Sequence, residues 1–236
     1  MDIQIFGDYE QMSAFAADIV LGELEKKGTL TICAATGNSP TGMYGLLAQA
    51  YKDRPEIFNG LHILKLDEWG GLAADRPGSC EYYLRQHLLE PLKIPNGRYT
   101  GFTPNPKNPE NECERIQHIM ESGEPIDLCV LGLGKNGHIG FNEPAEMLQP
   151  FCHVAQLSEA SKGHGMVENM DQKPEYGMTL GMQNILTAKR ILLLICGAGK
   201  DDAIAMLKKK MITPQFPVTF LWLHPHVDCL LVENVR

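Results

Sequence analysis

The chain lacks an excess of positive charge. Lysine and arginine together number 21 against 29 aspartates and glutamates, which gives a formal net charge of −8. A domain that binds nucleic acid normally carries a basic face or stripe. The basic run at residues 208–210 closes a helix-like stretch, where cations complement the helix dipole. The composition therefore excludes nucleic acid as a class of partner.

Long hydrophobic runs are also missing, since no apolar stretch approaches the ~18 residues of a membrane-spanning helix. The first five residues lack the basic and apolar regions of a secretory signal peptide. The seven cysteines are odd in number and form no C-x-x-C motif, so they predict buried thiols rather than disulfides or a zinc site. We therefore expect a cytoplasmic protein with no membrane partner.

What the chain does have is an alternation of short apolar, β-branched runs with amphipathic stretches. This alternation predicts an α/β fold, with a doubly wound, mostly parallel sheet and helices on both faces. A length of 236 residues suits a single domain over residues 1–236. The predicted strands are residues 28–35, 61–67, 126–133, 190–196, 217–223 and 227–233, and the predicted helices are residues 9–27, 40–52, 79–91, 108–121 and 199–209.

The most informative motif is a glycine-rich loop, residues 131–144, which directly follows a buried-looking strand. The loop carries His138 and Glu143 in a segment with few other ionisable groups. Because open α/β sheets bind ligands at the carboxyl ends of their strands, the loop predicts an active site. The alternative is a tight turn in which His138 is only a hydrogen-bonded core residue.

Nucleotide cofactors fit this loop poorly. Residues 132–137 match the G-x-G-x-x-G pattern, but a β-like stretch follows them instead of a helix, and residues 148–158 contain no acid. A P-loop is excluded because neither Lys135 nor Lys200 precedes a serine or threonine. We therefore expect no nucleotide cofactor.

Three further clusters follow predicted strands. Residues 35–42 combine glycine, hydroxyls and amides at a helix start, which suits a phosphate, although Ser39 and Pro40 could simply be the N-cap and first helical residue. Asp67 and Glu68 end a strand as paired carboxylates, which suits a base toward a bound ligand, or else a solvated loop or helix cap. Lys200 opens a later helix and could supply a counter-charge to the same phosphate.

These clusters contain no metal-ligand spacing such as H-x-x-x-H, so we expect no metal. Together they predict general acid–base chemistry on a small phosphorylated compound. Residues 159–173 have weak periodicity and follow the glycine-rich loop, and we interpret them as a lid over the site.

At the level of motifs, the chain resembles the glucosamine-6-phosphate deaminase/isomerase family. The matching segments are residues 36–40 (TGNSP), 66–69 (LDEW), 137–144 (GHIGFNEP) and 196–200 (CGAGK). The resemblance spans nearly the whole chain, and the third segment separates it from the related 6-phosphogluconolactonases. It implies a Rossmann-like sheet of the ribose-5-phosphate isomerase/CoA transferase-like superfamily.

The resemblance also implies a reaction without cofactor or metal, in which an amino-sugar 6-phosphate becomes a ketose 6-phosphate and ammonia. His138 would assist ring opening, Asp67 would move a proton from C2 to C1, and Glu143 would orient His138. The implied catalytic set is Asp67, His138, Glu143 and Asn136, and the implied substrate- and phosphate-binding set is Thr36, Gly37, Asn38, Ser39, Thr41, Glu68 and Lys200.

Two departures from the family pattern leave alternatives open. Asn136 replaces an aspartate, so it could hydrogen-bond the imidazole but not stabilise its cation by charge. The lid has no match to the family's phosphate-clamping arginine, and Lys162 and His164 are the candidates to replace it. The expected substrate is glucosamine or galactosamine 6-phosphate. The alternative functions are a 6-phosphogluconolactonase-like hydrolase and a non-catalytic sugar-phosphate sensor.

Family members range from monomers to hexamers, so a homo-oligomer is one alternative for the assembly.

The resemblance predicts that the reaction is not allosterically activated. Basic residues build an allosteric site in some family members, whereas this chain has His153 and Ala155 where cations would be expected. We expect the rate to rise hyperbolically with the concentration of amino-sugar phosphate in steady-state kinetics. A sigmoidal curve that an N-acetylated phosphosugar makes hyperbolic would contradict this prediction.

Overall fold

The centre of the protein is a seven-stranded sheet in the order β1-β10-β9-β6-β2-β3-β5, and every pairing in it is parallel. The structure is a computed structural model that describes residues 1–163, 165–168, 170 and 173–233. The predicted doubly wound parallel sheet is confirmed. Its strands are β1 Asp2–Phe6, β2 Leu30–Ala34, β3 Leu61–Lys65, β5 Tyr99–Thr100, β6 Leu128–Gly132, β9 Arg190–Ile195 and β10 Val227–Val232.

Helices cover both faces of this sheet. Strands buried on two faces need apolar side chains in both directions, and Leu131 and Leu193 pack in one core cluster while Val130 and Leu192 pack in the other. The helices are α1 Tyr9–Lys26, α2 Asn38–Asp53, α3 Cys80–Leu84, α4 Pro109–Ser122, α5 Glu159–Lys162, α6 Met182–Leu186 and α7 Asp201–Lys208. Helices α1 and α2 line the second cluster, and α4, α6 and α7 line the first. None of the helices formed by described residues combines the length and apolar character that a bilayer crossing needs.

A second, antiparallel sheet was not predicted. It has the order β4-β8-β7, with β4 at Asp67–Trp69, β7 at His153–Ala155 and β8 at Gly177–Thr179. The chain leaves β3 at Lys65 and enters this small sheet two residues later. Three-residue strands are too short to show an alternating pattern, which explains why the sequence placed Asp67 at the end of a longer strand.

The strand predicted at residues 217–223 is wrong, because Pro217–Leu223 forms a 3₁₀ helix. Periodicity alone does not separate a short apolar strand from a buried helical turn. Pro217 favours the helical start, since its fixed φ suits the first turn and its missing N–H is not needed there. Strand β1, at the edge of the sheet, was not predicted. Helix α3 is shorter than predicted and continues as a π-helical turn at Arg85–Leu89.

A buried charge network joins β3, β4 and α3. Lys65 is completely buried, and its Nζ donates to Glu68 Oε2 at 2.6 Å and to Glu81 Oε2 at 2.8 Å. Burial by itself would lower the pKa of the Lys65 amine, but the charges of Glu68 and Glu81 outweigh it and raise the pKa above its ordinary value. The network therefore depends on all three charges being present together.

Replacing Lys65 with methionine should destabilise the fold strongly, because it leaves Glu68 buried without its cation, while Glu81 keeps only its pair with the partly exposed Arg85. We expect Lys65→Met to lower the free energy of unfolding at pH 7 by about 3–5 kcal/mol, measured by denaturant titration. The matched control is Lys27→Met: Lys27 pairs with Asp127 but is partly exposed, and Lys189 also pairs with Asp127. Lys27→Met should lower the free energy of unfolding by no more than about 1 kcal/mol. Equal losses for the two variants would contradict the prediction.

Candidate active site

A cavity of about 340 Å³ opens at the carboxyl edge of the parallel sheet. Its walls come from the segments that follow β2, β3, β6 and β9 and from residues 160, 161, 163, 165 and 168. The strand order reverses between β2 and β6, because β3 lies beyond β2 on one side while β9 and β10 lie beyond β6 on the other. Ligands of open α/β sheets bind at this kind of switch point, and the volume is typical of small-molecule sites.

The N-terminus of α2 forms one wall through Gly37, Asn38 and Ser39. The predicted Ser39 N-cap is wrong by two residues, because Gly37 is the N-cap with φ 99°, a conformation that favours glycine. Its carbonyl accepts hydrogen bonds from Thr41 Oγ1 at 2.9 Å and Tyr83 OH at 2.8 Å. Since glycine has no side chain to cap the helix, the first turn is suited to an anion.

Two lysines stand near this helix start. Lys200 and Lys135 both line the cavity, and Lys135 packs beside the Gly199 turn. Burial, together with repulsion from Lys135, lowers the pKa of the Lys200 amine. An anion bound between them would relieve this repulsion. The sequence predicted Lys200 as a counter-charge but missed Lys135, although a lysine inside a glycine-rich loop was the available signal.

Asp67 is a buried carboxylic acid on the cavity wall, with 7% of its surface exposed. The Cys80 thiol donates to its Oδ1 at 3.7 Å, and Thr36 Oγ1 donates to the Cys80 sulfur at 3.5 Å. Burial, and secondarily the charge of Glu68, raises the pKa of Asp67 to about 7. A carboxylate with this proton affinity is a stronger base than an exposed one. The contribution of Cys80 was not predicted.

Glu68, predicted to bind substrate, does not reach the cavity wall that the described residues form. Its side chain is fully buried, and both oxygens are occupied by donors. Besides Lys65 Nζ, they accept the backbone N–H groups of Trp69 at 3.0 Å, Cys80 at 2.8 Å and Glu81 at 2.9 Å. Glu68 therefore anchors the chain on the core side, while its neighbour Asp67 faces the ligand.

His138 lines the cavity and is held from behind by Glu143. The distance from His138 Nδ1 to Glu143 Oε2 is 3.4 Å. A carboxylate only accepts hydrogen bonds, so this contact places the imidazole proton on Nδ1. Burial opposes the charge on Glu143, but the hydrogen bond and charge of His138 and the hydroxyl of Ser161 lower its pKa to about 2. The ring fits because residue 134 is glycine, where a Cβ would lie 2.3 Å from His138 Nε2.

Asn136 does not contact the imidazole, contrary to the expectation from sequence. Its Nδ2 donates to Glu143 Oε2 at 2.9 Å, and its Oδ1 accepts the backbone N–H of His138 at 3.2 Å. An amide supplies a donor and an acceptor at once, whereas an ionised aspartate only accepts. Asn136 thus positions Glu143 and the loop instead of stabilising the ring by charge.

The segment predicted as a lid, residues 159–173, lies at the cavity through several of its members. Val167 is buried in a small apolar cluster with Trp69 and Phe141, which attaches the segment to the site. Lys162 pairs with Glu159 at 2.9 Å and does not line the cavity, so it is not placed as the phosphate clamp. His164, the other candidate, lies outside the described residues. Among the described residues, no group of three or more His, Cys, Asp or Glu side chains could hold a metal ion.

The chain is similar to known proteins over nearly its whole length. The family model for glucosamine-6-phosphate isomerases/6-phosphogluconolactonase matches residues 9–230. A putative deaminase, AgaI, of Escherichia coli K12 is 38% identical over 97% of this chain and 91% of its own length. A glucosamine-6-phosphate deaminase of Bacillus pumilus is 34% identical over 98% of this chain and 97% of its own.

Solved structures are similar over almost the entire chain. A monomeric glucosamine-6-phosphate deaminase superposes with a TM-score of 0.92 at 31% identity, covering 99% of this chain and 98% of that one. A 6-phosphogluconolactonase from Trypanosoma brucei superposes with a TM-score of 0.79 at 20% identity, over 99% and 98% of the two chains. The second likeness concerns the fold alone.

The buried Asp67 should make the protein less stable as pH rises. Its pKa is about 7 in the folded state but about 4 in an unfolded chain. Between these values the folded state holds a proton that the unfolded state has released, so stability falls with rising pH. We expect Asp67→Asn to be more stable than the parent at pH 8, on the order of a few kcal/mol, with the difference shrinking toward pH 5 in thermal unfolding.

The control for this experiment is Asp18→Asn, the same chemical change at an exposed position of α1. Its stability relative to the parent should not change between pH 5 and pH 8. An Asp67→Asn variant that is less stable than the parent at pH 8 would contradict the prediction.

Proposed function

The chain belongs to the glucosamine-6-phosphate isomerase/6-phosphogluconolactonase family, and on this basis we propose that it is an amino-sugar 6-phosphate deaminase. The observation that carries the proposal is the meeting of two acid–base groups in one cavity. Asp67 and the His138–Glu143 pair share a cavity with an uncapped helix N-terminus and Lys200. Such a site suits proton transfers on a small, anionic substrate.

In the proposed reaction, His138 first takes the proton from the C1 hydroxyl and gives it to the ring oxygen, which opens the sugar. Glu143 keeps the imidazole oriented and stabilises its protonated form. Asp67 then removes the proton from C2 and returns it to C1, through an enolamine. Water adds to the resulting ketose imine, and the products are a ketose 6-phosphate and ammonia.

In the proposed complex, the phosphate of the substrate binds at the start of α2. Gly37, Asn38 and Ser39 offer the helix N-terminus, and Lys200 with Lys135 offers positive charge. Thr41 acts indirectly, because its hydroxyl bonds the Gly37 carbonyl and the Tyr83 hydroxyl. This arrangement holds one end of the substrate, so that its reacting carbons lie near Asp67.

Glucosamine 6-phosphate is the proposed substrate, since relatives that are 31–34% identical carry that substrate in their names. Galactosamine 6-phosphate, which differs only at C4, is the second candidate. The reducing environment implied by seven free cysteines supports a cytoplasmic location.

Two alternatives are supported less well. The 6-phosphogluconolactonase structures that resemble this chain are 17–20% identical and share the fold only. A lactonase would also have no use for a proton shuttle at Asp67. The sensor hypothesis rested on Asn136, and the structure gives that residue a supporting bond to Glu143.

The test is ammonia release from glucosamine and galactosamine 6-phosphates by the parent protein and by Asp67→Asn. The parent should release ammonia from at least one of them. Asp67→Asn should lower kcat by about 10²–10⁴-fold, the usual contribution of a general base. Asp18→Asn serves as the control with unchanged activity. A silent parent that hydrolyses 6-phosphogluconolactone, with Asp67→Asn still active on it, would favour the lactonase instead.

A further inference from the structure

Two serines, Ser158 just before the lid segment and Ser161 within it, bond directly to the His138–Glu143 pair. Ser158 is the N-cap of α5, where its side chain accepts the N–H of Ser161 at 3.2 Å. Its own backbone N–H approaches Glu143 Oε1 at 3.4 Å. The Ser158 hydroxyl also accepts a hydrogen bond from Asn136 Nδ2 at 3.2 Å.

Ser161 makes the closest contact between the lid segment and the pair. It is 1% exposed, its hydroxyl donates to Glu143 Oε1, and its Oγ lies 3.4 Å from His138 Nδ1. The two oxygens of Glu143 are thereby held from two sides. Oε1 faces Ser158 and Ser161 at the start of α5, and Oε2 faces Asn136 and His138 in the glycine-rich loop.

This division matters because a Glu143 carboxylate that was free to rotate would not hold one of its oxygens against His138 Nδ1. Asn136 fixes only one oxygen, so the loop alone leaves the second without a donor among the described residues. The hydroxyl of Ser161 supplies that donor, together with the backbone N–H of Ser158 at 3.4 Å, and Ser161 lies on a segment that is itself attached through buried Val167. The loop and the lid segment together therefore determine the orientation of the imidazole.

We propose that Ser161 is a positioning residue that holds Glu143 against His138, so that the acid–base pair is complete only with the lid segment in place. The inference deepens the proposed function and rests on it where turnover is measured. Ser161 acts through Glu143 and takes no part in the proton transfers to the substrate.

The kinetic test is a double-mutant cycle with Ser161→Ala and Glu143→Gln. Ser161→Ala should lower kcat about 10–100-fold and change KM less than about 3-fold, because the phosphate cradle is untouched. In the Glu143→Gln background, Ser161→Ala should lower kcat less than about 3-fold, since the effect of Ser161 passes through Glu143. Equal losses in both backgrounds would overturn the proposal.

The matched control is Glu159→Ala in the same short helix, whose side chain is 90% exposed and pairs with Lys162. It should leave kcat and KM unchanged. A loss at Glu159 as large as that at Ser161 would mean that general damage to α5 explains both, and the proposal would fall.

A measurement without substrate separates this inference from the proposed function. In ¹⁵N-labelled protein, a hydrogen-bonded His138 Nδ1–H should give a slowly exchanging proton resonance. The resonance should survive in Glu159→Ala and disappear in Ser161→Ala and Glu143→Gln. Its absence from the parent, or its persistence in Ser161→Ala, would overturn the positioning role even if ammonia is released. Its expected behaviour in a protein that releases no ammonia would support the positioning role and refute only the proposed function.

Discussion

The arrangement of the site depends on one buried carboxylate, that of Glu68. It accepts the Lys65 amine and three backbone N–H groups, which ties the end of β3 to β4 and to the start of α3. Because successive residues of a strand point to opposite sides, directing Glu68 into the core turns Asp67 toward the cavity. The same negative charge helps to raise the pKa of Asp67. One group thus orients the proposed base and adds to the burial that raises its pKa.

The parallel sheet brings the other residues of the site together. Its strands all end at one edge, so that Gly37, Asp67, His138 and Lys200, which are far apart along the chain, surround a single cavity. Reversal of strand order between β2 and β6 opens the space that the ligand needs. In the small antiparallel sheet, β4 lines this opening and pairs with β8, where Thr179 Oγ1 accepts the N–H of Phe141, which fixes the glycine-rich loop.

Much of this could be predicted from the sequence, and the failures have physical causes. Helices such as α1 and α4 show several turns of apolar periodicity and were located within a residue or two. The 217–223 segment is too short for its period to distinguish helix from strand. Asp67 and Glu68 are adjacent and chemically alike, so no local signal separates the residue that faces the ligand from the one that anchors the core.

The sequence by itself determined the fold class and which chemical groups stand at the carboxyl edge: the helix start at residues 37–39, Asp67, the His138 loop with Glu143, and Lys200. Only the tertiary structure decided what each group contacts. It buried Glu68, turned Asn136 toward Glu143 instead of the imidazole, and brought Ser161 onto the same carboxylate. The reason is that the identity of a side chain is local, whereas its burial and many of its hydrogen bonds depend on residues that lie well apart from it along the chain, such as Cys80 for Glu68 and Ser161 for Glu143.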